Sequence, residues 1–174
     1  MTAAPGAAPA PAPRGQGRSS ARLACVQALY QIEMSGQSAD AVIEEFLSHR
    51  AGHEIDGERY AEPHRGHFER TVREAAARTD EFDALVAATL AEHWSMERLG
   101  TVVRALMRAA TCELAACPDV PARVIINEYV ELARAFFSGR EPAFVNGALD
   151  SLARRLRGAE MAEGADHGRP AHER

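Results

Sequence analysis

Apolar residues recur at helical spacing along most of this 174-residue chain. Side chains three or four residues apart share one face of a helix, so such a stripe marks the side that packs against a core. No stretch shows the strict alternation that a half-buried strand requires. The pattern predicts an all-α fold of about seven helices, each too short to be stable without packing against its neighbours.

Capping and helix-breaking residues indicate where several helices begin and end. Ser19 or Ser20 stands before the first apolar stripe as an N-cap, and Gly36 follows that stripe as a C-terminal stop. Pro121 occupies the first turn of a later helix, where its missing N–H costs nothing. Residues 50–66 are polar and contain Gly and Pro, which predicts a loop.

The two ends of the chain differ in composition from its middle. The first residues are mostly Ala, Pro and Gly, and the stretch beyond Leu156 shows no apolar period. Neither end can bury enough apolar area to offset the entropy lost on ordering. We therefore expect a disordered basic arm at 1–17, a helical domain at 18–157 and a disordered tail at 158–174.

Composition is that of an ordinary soluble domain, with 46% hydrophobic and 26% charged residues. No apolar run approaches the length of a membrane span, and the Ala/Pro-rich start lacks the features of a secretory signal. Cys25, Cys112 and Cys117 are odd in number and fit no zinc-binding spacing, which favours reduced thiols. We expect a cytoplasmic protein that makes no contact with a membrane.

Charge is unevenly distributed. The net charge of −5 disfavours nucleic acid, yet no acidic residue occurs in the first 32 positions, which contain Arg14, Arg18 and Arg22. A basic arm on an acidic body can bind phosphate locally. A solvated tail with incidental arginines fits the same composition, so charge alone leaves both interpretations open.

The sequence lacks the motifs of the common enzyme classes, such as a phosphate-binding loop or a hydrolase nucleophile elbow. His49 and His53 have the interval of a metal-ligand pair, but they lie where a helix gives way to a loop, so surface histidines are the simpler interpretation. Glu113 lies at the edge of an apolar stripe, where a structural hydrogen bond or ion pair is the default. We expect a binding protein without catalytic residues, metal or cofactor.

The stretch EPAFVNGALDSLARRL combines two opposing signals. Asn146 and Gly147 form a turn-prone pair, yet the helical period continues straight through them. Phe144 stands near the start of this helix, where an aromatic ring can stack a base beside free backbone N–H groups. The alternative is that Phe144 closes the core, and its spacing leaves both interpretations open.

Four stretches, taken together and in this order, resemble the NusB family of bacterial transcription antitermination factors: RSSARLACVQALY, LGTVVRALMRAATCEL, DVPARVIINEYVELARAF and FVNGALD. The resemblance extends from about Arg18 to about Leu156. It implies two packed helical subdomains that bind the single-stranded boxA RNA of rRNA leader transcripts together with NusE, a small-subunit ribosomal protein. It further implies a larger complex with other Nus factors and RNA polymerase that promotes processive rRNA transcription.

The resemblance also implies RNA contacts for particular residues. By position, Arg18 and Arg22 match the basic N-terminus of the family, which contacts RNA, while Phe144 and Asn146 match its FVNG element at the RNA surface. Gly147 would then let the backbone approach a neighbouring helix or the RNA, leaving Phe144 and Asn146 at the binding surface.

Two residues match positions at the NusE contact of the family. Tyr30 corresponds to an aromatic residue of that surface, and Glu97 lies near an acidic one. Two other functions remain compatible with the helical pattern. One is the NusB-like RNA-binding domain of some rRNA cytosine methyltransferases, which the lack of a following α/β segment disfavours, and the other is a helical scaffold that binds only protein.

Overall fold

Eight α-helices make up the part of the chain that the computed structural model describes, residues 16–49, 54–55, 58–59, 64–91 and 95–166. The prediction of an all-α fold is confirmed, with one helix more than expected. Two-residue strands in the loop after the second helix pair antiparallel. The elements in chain order are α1 (Gln16–Ser35), α2 (Ala39–His49), β1 (Glu54–Ile55), β2 (Glu58–Arg59), α3 (Arg65–Ala77), α4 (Thr79–Ala87), a 3₁₀ turn (Met96–Arg98), α5 (Thr101–Ala116), α6 (Ala122–Phe136), α7 (Glu141–Leu156) and α8 (Gly158–Asp166).

Helices α1 and α5 lie at the centre of the packing. Helix α1 contacts α2, α3, α5 and α6, while α5 contacts α1, α3, α4, α6 and α7. The first three helices thus form one group and α5–α7 another, joined across a continuous hydrophobic core. The apolar stripes supply that core, with Leu106, Leu114, Ile125 and Tyr129 fully buried.

A buried ion pair joins the two groups of helices. Arg22 of α1 is only 3% exposed and donates two hydrogen bonds to Glu113 of α5, at 3.0 Å from Nε to Oε2 and 2.5 Å from Nη2 to Oε1. Its Nη1 donates a third, 3.1 Å long, to Oε2 of Glu128 on α6. A single guanidinium therefore connects three helices.

The environment of Glu113 keeps this carboxylate charged. Burial raises its pKa, but the nearby His67 and the two hydrogen bonds from Arg22 outweigh burial and lower the pKa to about 2. His67 Nε2 lies 3.5 Å from Glu113 Oε2, at the long end for a hydrogen bond. The carboxylate remains ionised at neutral pH, as the buried Arg22 requires.

The structure corrects the predicted end of the helical domain. Residues 158–166 form α8 rather than the start of a disordered tail, and Met161 is buried. Polar contacts help to hold this segment, and such contacts leave no apolar period in the sequence. Glu160 Oε1 accepts a 2.7 Å hydrogen bond from the backbone N–H of Ala122, and Arg157 donates to the carbonyl oxygens of Glu113, Leu114, Cys117 and Val120.

The predicted N-terminal arm also ends earlier than expected, because α1 begins at Gln16, ahead of the Ser19 or Ser20 cap. The remaining arm at 1–15, the last residues 167–174, and the predicted roles of Arg14 and His53 lie outside the described residues.

We expect the stability supplied by Glu113 to depend on pH. Its pKa is lower in the folded protein than its ordinary value of 4.5, so its contribution is complete above pH 4.5 and is lost as the pH falls towards about 2. Glu113→Gln should be about 3–5 kcal/mol less stable than wild type at neutral pH, because Arg22 loses a buried partner. In urea unfolding, that difference should shrink at pH 3. Glu131→Gln, on the exposed face of α6, is the control. If the difference in stability between Glu113→Gln and wild type did not depend on pH, the lowered pKa of Glu113 would be contradicted.

Arg157→Ala should lower the free energy of unfolding by roughly 2–4 kcal/mol, because a charged donor is removed from four carbonyl oxygens. Arg155→Ala is the matched control, since Arg155 is exposed on the same turn of α7, and should change stability by about 0.5 kcal/mol or less. Equal thermal melts of the two variants would argue against a role for Arg157 in holding the segment between α5 and α6.

Candidate nucleic-acid interface

A surface pocket of about 510 Å³ opens where the first turns of α1 meet α6. We call it the α1–α6 pocket; its lining residues are Arg18, Ser19, Arg22, His64, Val120, Val124 and Glu128. Arg18 and Arg22 both line it, which agrees with the one-turn spacing that places them on a single face of α1. Sequence reasoning identified only these two of its residues.

Arg18 is the exposed cation of this pocket. Its side chain is 42% exposed, and Nη2 lies 3.6 Å from Oδ2 of Asp119, which is also exposed. An ion pair of this kind in water contributes about 0–1 kcal/mol. The guanidinium can therefore exchange Asp119 for a phosphate at little cost.

Arg22, unlike Arg18, is not an exposed cation. Its guanidinium is buried and donates to Glu113 and Glu128. Contact with a phosphate would require a buried cation to give up a carboxylate partner, which is costly. Arg22 thus joins α1, α5 and α6, and Arg18 is the exposed arginine of this pair.

The other polar residues of the pocket are held by the fold. Ser19 Oγ donates a 2.6 Å hydrogen bond to Glu128 Oε2. His64 caps α3, because its Nδ1 accepts a 3.2 Å hydrogen bond from the backbone N–H of His67. The backbone N–H of His64 donates a 2.9 Å hydrogen bond to the carbonyl oxygen of Gly17. The contacts of Ser19 with Glu128 and of His64 with Gly17 join residues far apart in the sequence. A helical period therefore carries no signal that would have identified Ser19 or His64 as pocket residues.

Phe144 and Asn146 lie in the first turns of α7. Phe144 is half-buried and packs against the core, while Asn146 is exposed. The half-buried side chain agrees with the core interpretation of Phe144 in part, and the stacking of a base on it stays a prediction. No residue of α7 lines the α1–α6 pocket, so the structure does not bring these two residues and Arg18 into one site.

Gly147 does not have the first of its two expected roles, close approach to a neighbouring helix, and the second, approach to RNA, stays a prediction. A Cβ atom placed on it would meet nothing within 4 Å, so no neighbouring helix approaches this position closely. Among the described glycines only Gly36, at the end of α1, has a positive φ, of 69°. Helix α7 runs through Asn146-Gly147 because burial of Val145 and Leu149 outweighs the roughly 1 kcal/mol that a helical Gly costs.

A second candidate surface lies further along α1. Tyr30, Met34 and Phe136 are exposed large apolar residues. They line a groove of about 430 Å³, together with Val26, Gln27, Gln31, Ser35 and Val102. We call it the Tyr30 groove. Clustered exposed apolar side chains of this kind mark protein contact sites, and none of the described residues that line the groove is basic.

Glu97 is exposed in the 3₁₀ turn before α5 and does not line the Tyr30 groove. Hydrogen bonds from Ser95 and from its own backbone N–H hold the pKa of Glu97 below its usual value, with a smaller contribution from Arg104. Glu97 therefore presents a charged carboxylate to solvent at neutral pH.

Other chemistry is sparse in the described part of the chain. No helix there has the length and apolar character needed to cross a bilayer. No three His, Cys, Asp or Glu side chains among those residues converge as metal ligands would. Cys25, Cys112 and Cys117 are buried and unpaired, and burial raises the pKa of the Cys112 thiol to about 12.

Curated relatives match nearly the whole helical body. A transcription antitermination protein NusB from Sphingopyxis alaskensis is 46% identical over 144 residues, covering 83% of this chain and 97% of the relative. The protein of the same name from Caulobacter vibrioides shows the same identity and coverage.

Solved structures show the same architecture. NusB from T. maritima is 29% identical, with a TM-score of 0.69 over 83% of this chain and 96% of that one. A chain from the crystal structure of antitermination factors NusB and NusE in complex with dsRNA has a TM-score of 0.67 at 20% identity, covering 81% of this chain and 98% of its own length, which shows a shared fold. The family model described as the NusB family matches residues 19–154. From the extent of that match and the 46% identity of its relatives, this chain belongs to the NusB family.

Proposed function

We propose that this protein is a transcription antitermination factor that acts in the cytoplasm. It binds the boxA single-stranded RNA of rRNA leader transcripts together with NusE. Within a larger complex containing other Nus factors and RNA polymerase, it promotes processive rRNA transcription. The observation that carries the proposal is the 46% identity, over 97% of their length, to proteins named for transcription antitermination.

The α1–α6 pocket supports the RNA part of the proposal. Arg18 stands at its rim, half exposed and only loosely paired, as a phosphate ligand should be. On α7, the exposed part of Phe144 offers a surface on which a base can stack, and Asn146 supplies an amide for hydrogen bonds.

The Tyr30 groove supports the partner part. Its exposed apolar side chains and lack of cations suit a protein surface better than a phosphate backbone. We assign the NusE contact to this groove, with Tyr30 at its centre, and assign the exposed Glu97 to the edge of the same contact.

We expect phosphate and base contacts to respond differently to salt. Arg18→Ala should flatten the plot of log affinity against log salt concentration by roughly 0.7, the loss of one phosphate contact on a single strand. Phe144→Ala should leave the slope unchanged and weaken binding by about 1–3 kcal/mol if a base stacks on the ring. Titrations of boxA RNA at several salt concentrations measure both, with thermal melts to check folding.

Arg134→Ala is the matched control for Arg18, since it removes another exposed arginine that is paired with a carboxylate. An equal change of slope for Arg134→Ala would mean that Arg18 acts only through net charge. A wild-type protein that binds NusE but no RNA would instead favour the protein-only scaffold.

Tyr30→Asp should weaken NusE binding by tenfold or more while leaving the affinity for RNA alone within about twofold, because a charge is placed in an apolar contact. Tyr30 is 38% exposed, so the variant should keep its helical circular dichroism. Ala41→Asp, at an exposed position of α2, controls for the added charge. A folded Tyr30→Asp protein with wild-type NusE affinity would exclude this residue from the contact.

A further inference from the structure

The α1–α6 pocket contains a carboxylate at a place where a purely phosphate-binding site would hold cations. Glu128 lines the pocket with a side chain that is 35% exposed. A carboxylate repels a phosphate placed beside it, but it accepts hydrogen bonds from the amino and imino groups of a nucleobase. The pocket therefore combines a cation at its rim with an acceptor inside.

The Glu128 carboxylate is held in one orientation. Its Oε2 accepts hydrogen bonds from Ser19 Oγ at 2.6 Å and from Arg22 Nη1 at 3.1 Å. Arg22 is itself fixed by its two bonds to Glu113. No donor among the described residues binds Oε1 of Glu128. One oxygen of a fixed carboxylate thus remains as a preorganised acceptor.

The remaining surfaces of the pocket suit the flat, largely apolar faces of a base. Val120 and Val124 supply apolar walls, and Val124 is exposed although it is a large apolar residue. His64 contributes an exposed imidazole. The volume of about 510 Å³ falls within the usual range for small-ligand sites.

We propose that the α1–α6 pocket binds one nucleobase of the RNA and that Glu128 makes it prefer guanine and disfavour uracil. Guanine presents two adjacent donors, N1–H and the N2 amino group, and both can donate to the free Oε1 of Glu128. Uracil presents only N3–H, between two carbonyl oxygens that Glu128 repels. Arg18 at the rim then binds an adjoining phosphate. This inference rests on the proposed RNA-binding function and adds to it the residue that determines base preference.

Uridine 12-mers that carry one guanine at each position in turn test this directly by fluorescence anisotropy with the full chain at fixed salt. At one or more positions, guanine should raise the affinity at least about fivefold over uracil, as expected for a paired base contact. Inosine lacks the N2 amino group and should recover only part of that gain. In Glu128→Gln the preference should fall to within about twofold.

Two further variants separate recognition from simple repulsion. Glu128→Asp keeps the charge but withdraws the carboxylate, so it should also lose the preference. Glu131→Gln removes a carboxylate from the exposed face of α6 and should retain the preference. If Glu128→Gln raised the affinity for every oligomer equally, Glu128 would act only by repelling phosphate and the inference would be overturned.

The absence of any guanine preference in wild type, or its survival in both Glu128 variants, would also overturn the inference. So would a failure of every guanine-bearing 12-mer to bind while boxA RNA still binds. In each of these cases the proposed antitermination function would remain standing. A wild-type protein that binds neither the 12-mers nor boxA RNA, alone or with NusE, would instead defeat the proposed function itself.

Discussion

The buried contact of Arg22 with Glu113 and Glu128 is the interaction on which the rest of the structure depends. It joins α1 to α5 and α6, through residues 91 and 106 positions away in the sequence. A buried charge is tolerated only when it is paired and hydrogen-bonded. The three helices can therefore pack only in the arrangement that brings this guanidinium between both carboxylates, whereas apolar contacts alone would tolerate small shifts along the helices.

The same contact organises the surface above it. Arg22 and Ser19 hold the carboxylate of Glu128, while Arg157 and Glu160 hold the segment that carries Val120 and leads into α6. The walls of the α1–α6 pocket thus come from elements fixed by partly buried polar contacts rather than from a free loop. Tyr30 lies roughly 18 Å further along α1 than Arg18, at 1.5 Å per residue. The α1–α6 pocket and the Tyr30 groove are therefore well separated along this helix.

Much of the fold could be predicted from the sequence because local periodicity reflects burial directly. The stripes on α5 and α6 became the core, and Gly36 ended α1 in the left-handed conformation that glycine tolerates. The helical period of the apolar residues also predicted correctly that α7 continues through Asn146-Gly147, despite the turn signal of that pair. The helix α8 escaped prediction because the contacts of Arg157 and Glu160 at its start are polar and reach back to α5 and α6, and no local pattern records such contacts.

The sequence by itself determined helices α1 to α7, their apolar faces and, through the FVNG and NEYVELA blocks, the family. It also placed Arg18 and Arg22 on one face of α1, but it could not distinguish between them. Only the tertiary structure decided that Glu113 and Glu128 bind the second arginine and leave the first half exposed. The physical reason is that the state of a charged side chain depends on which groups surround it in space. For Arg22 those groups lie on helices that the chain forms about a hundred residues later.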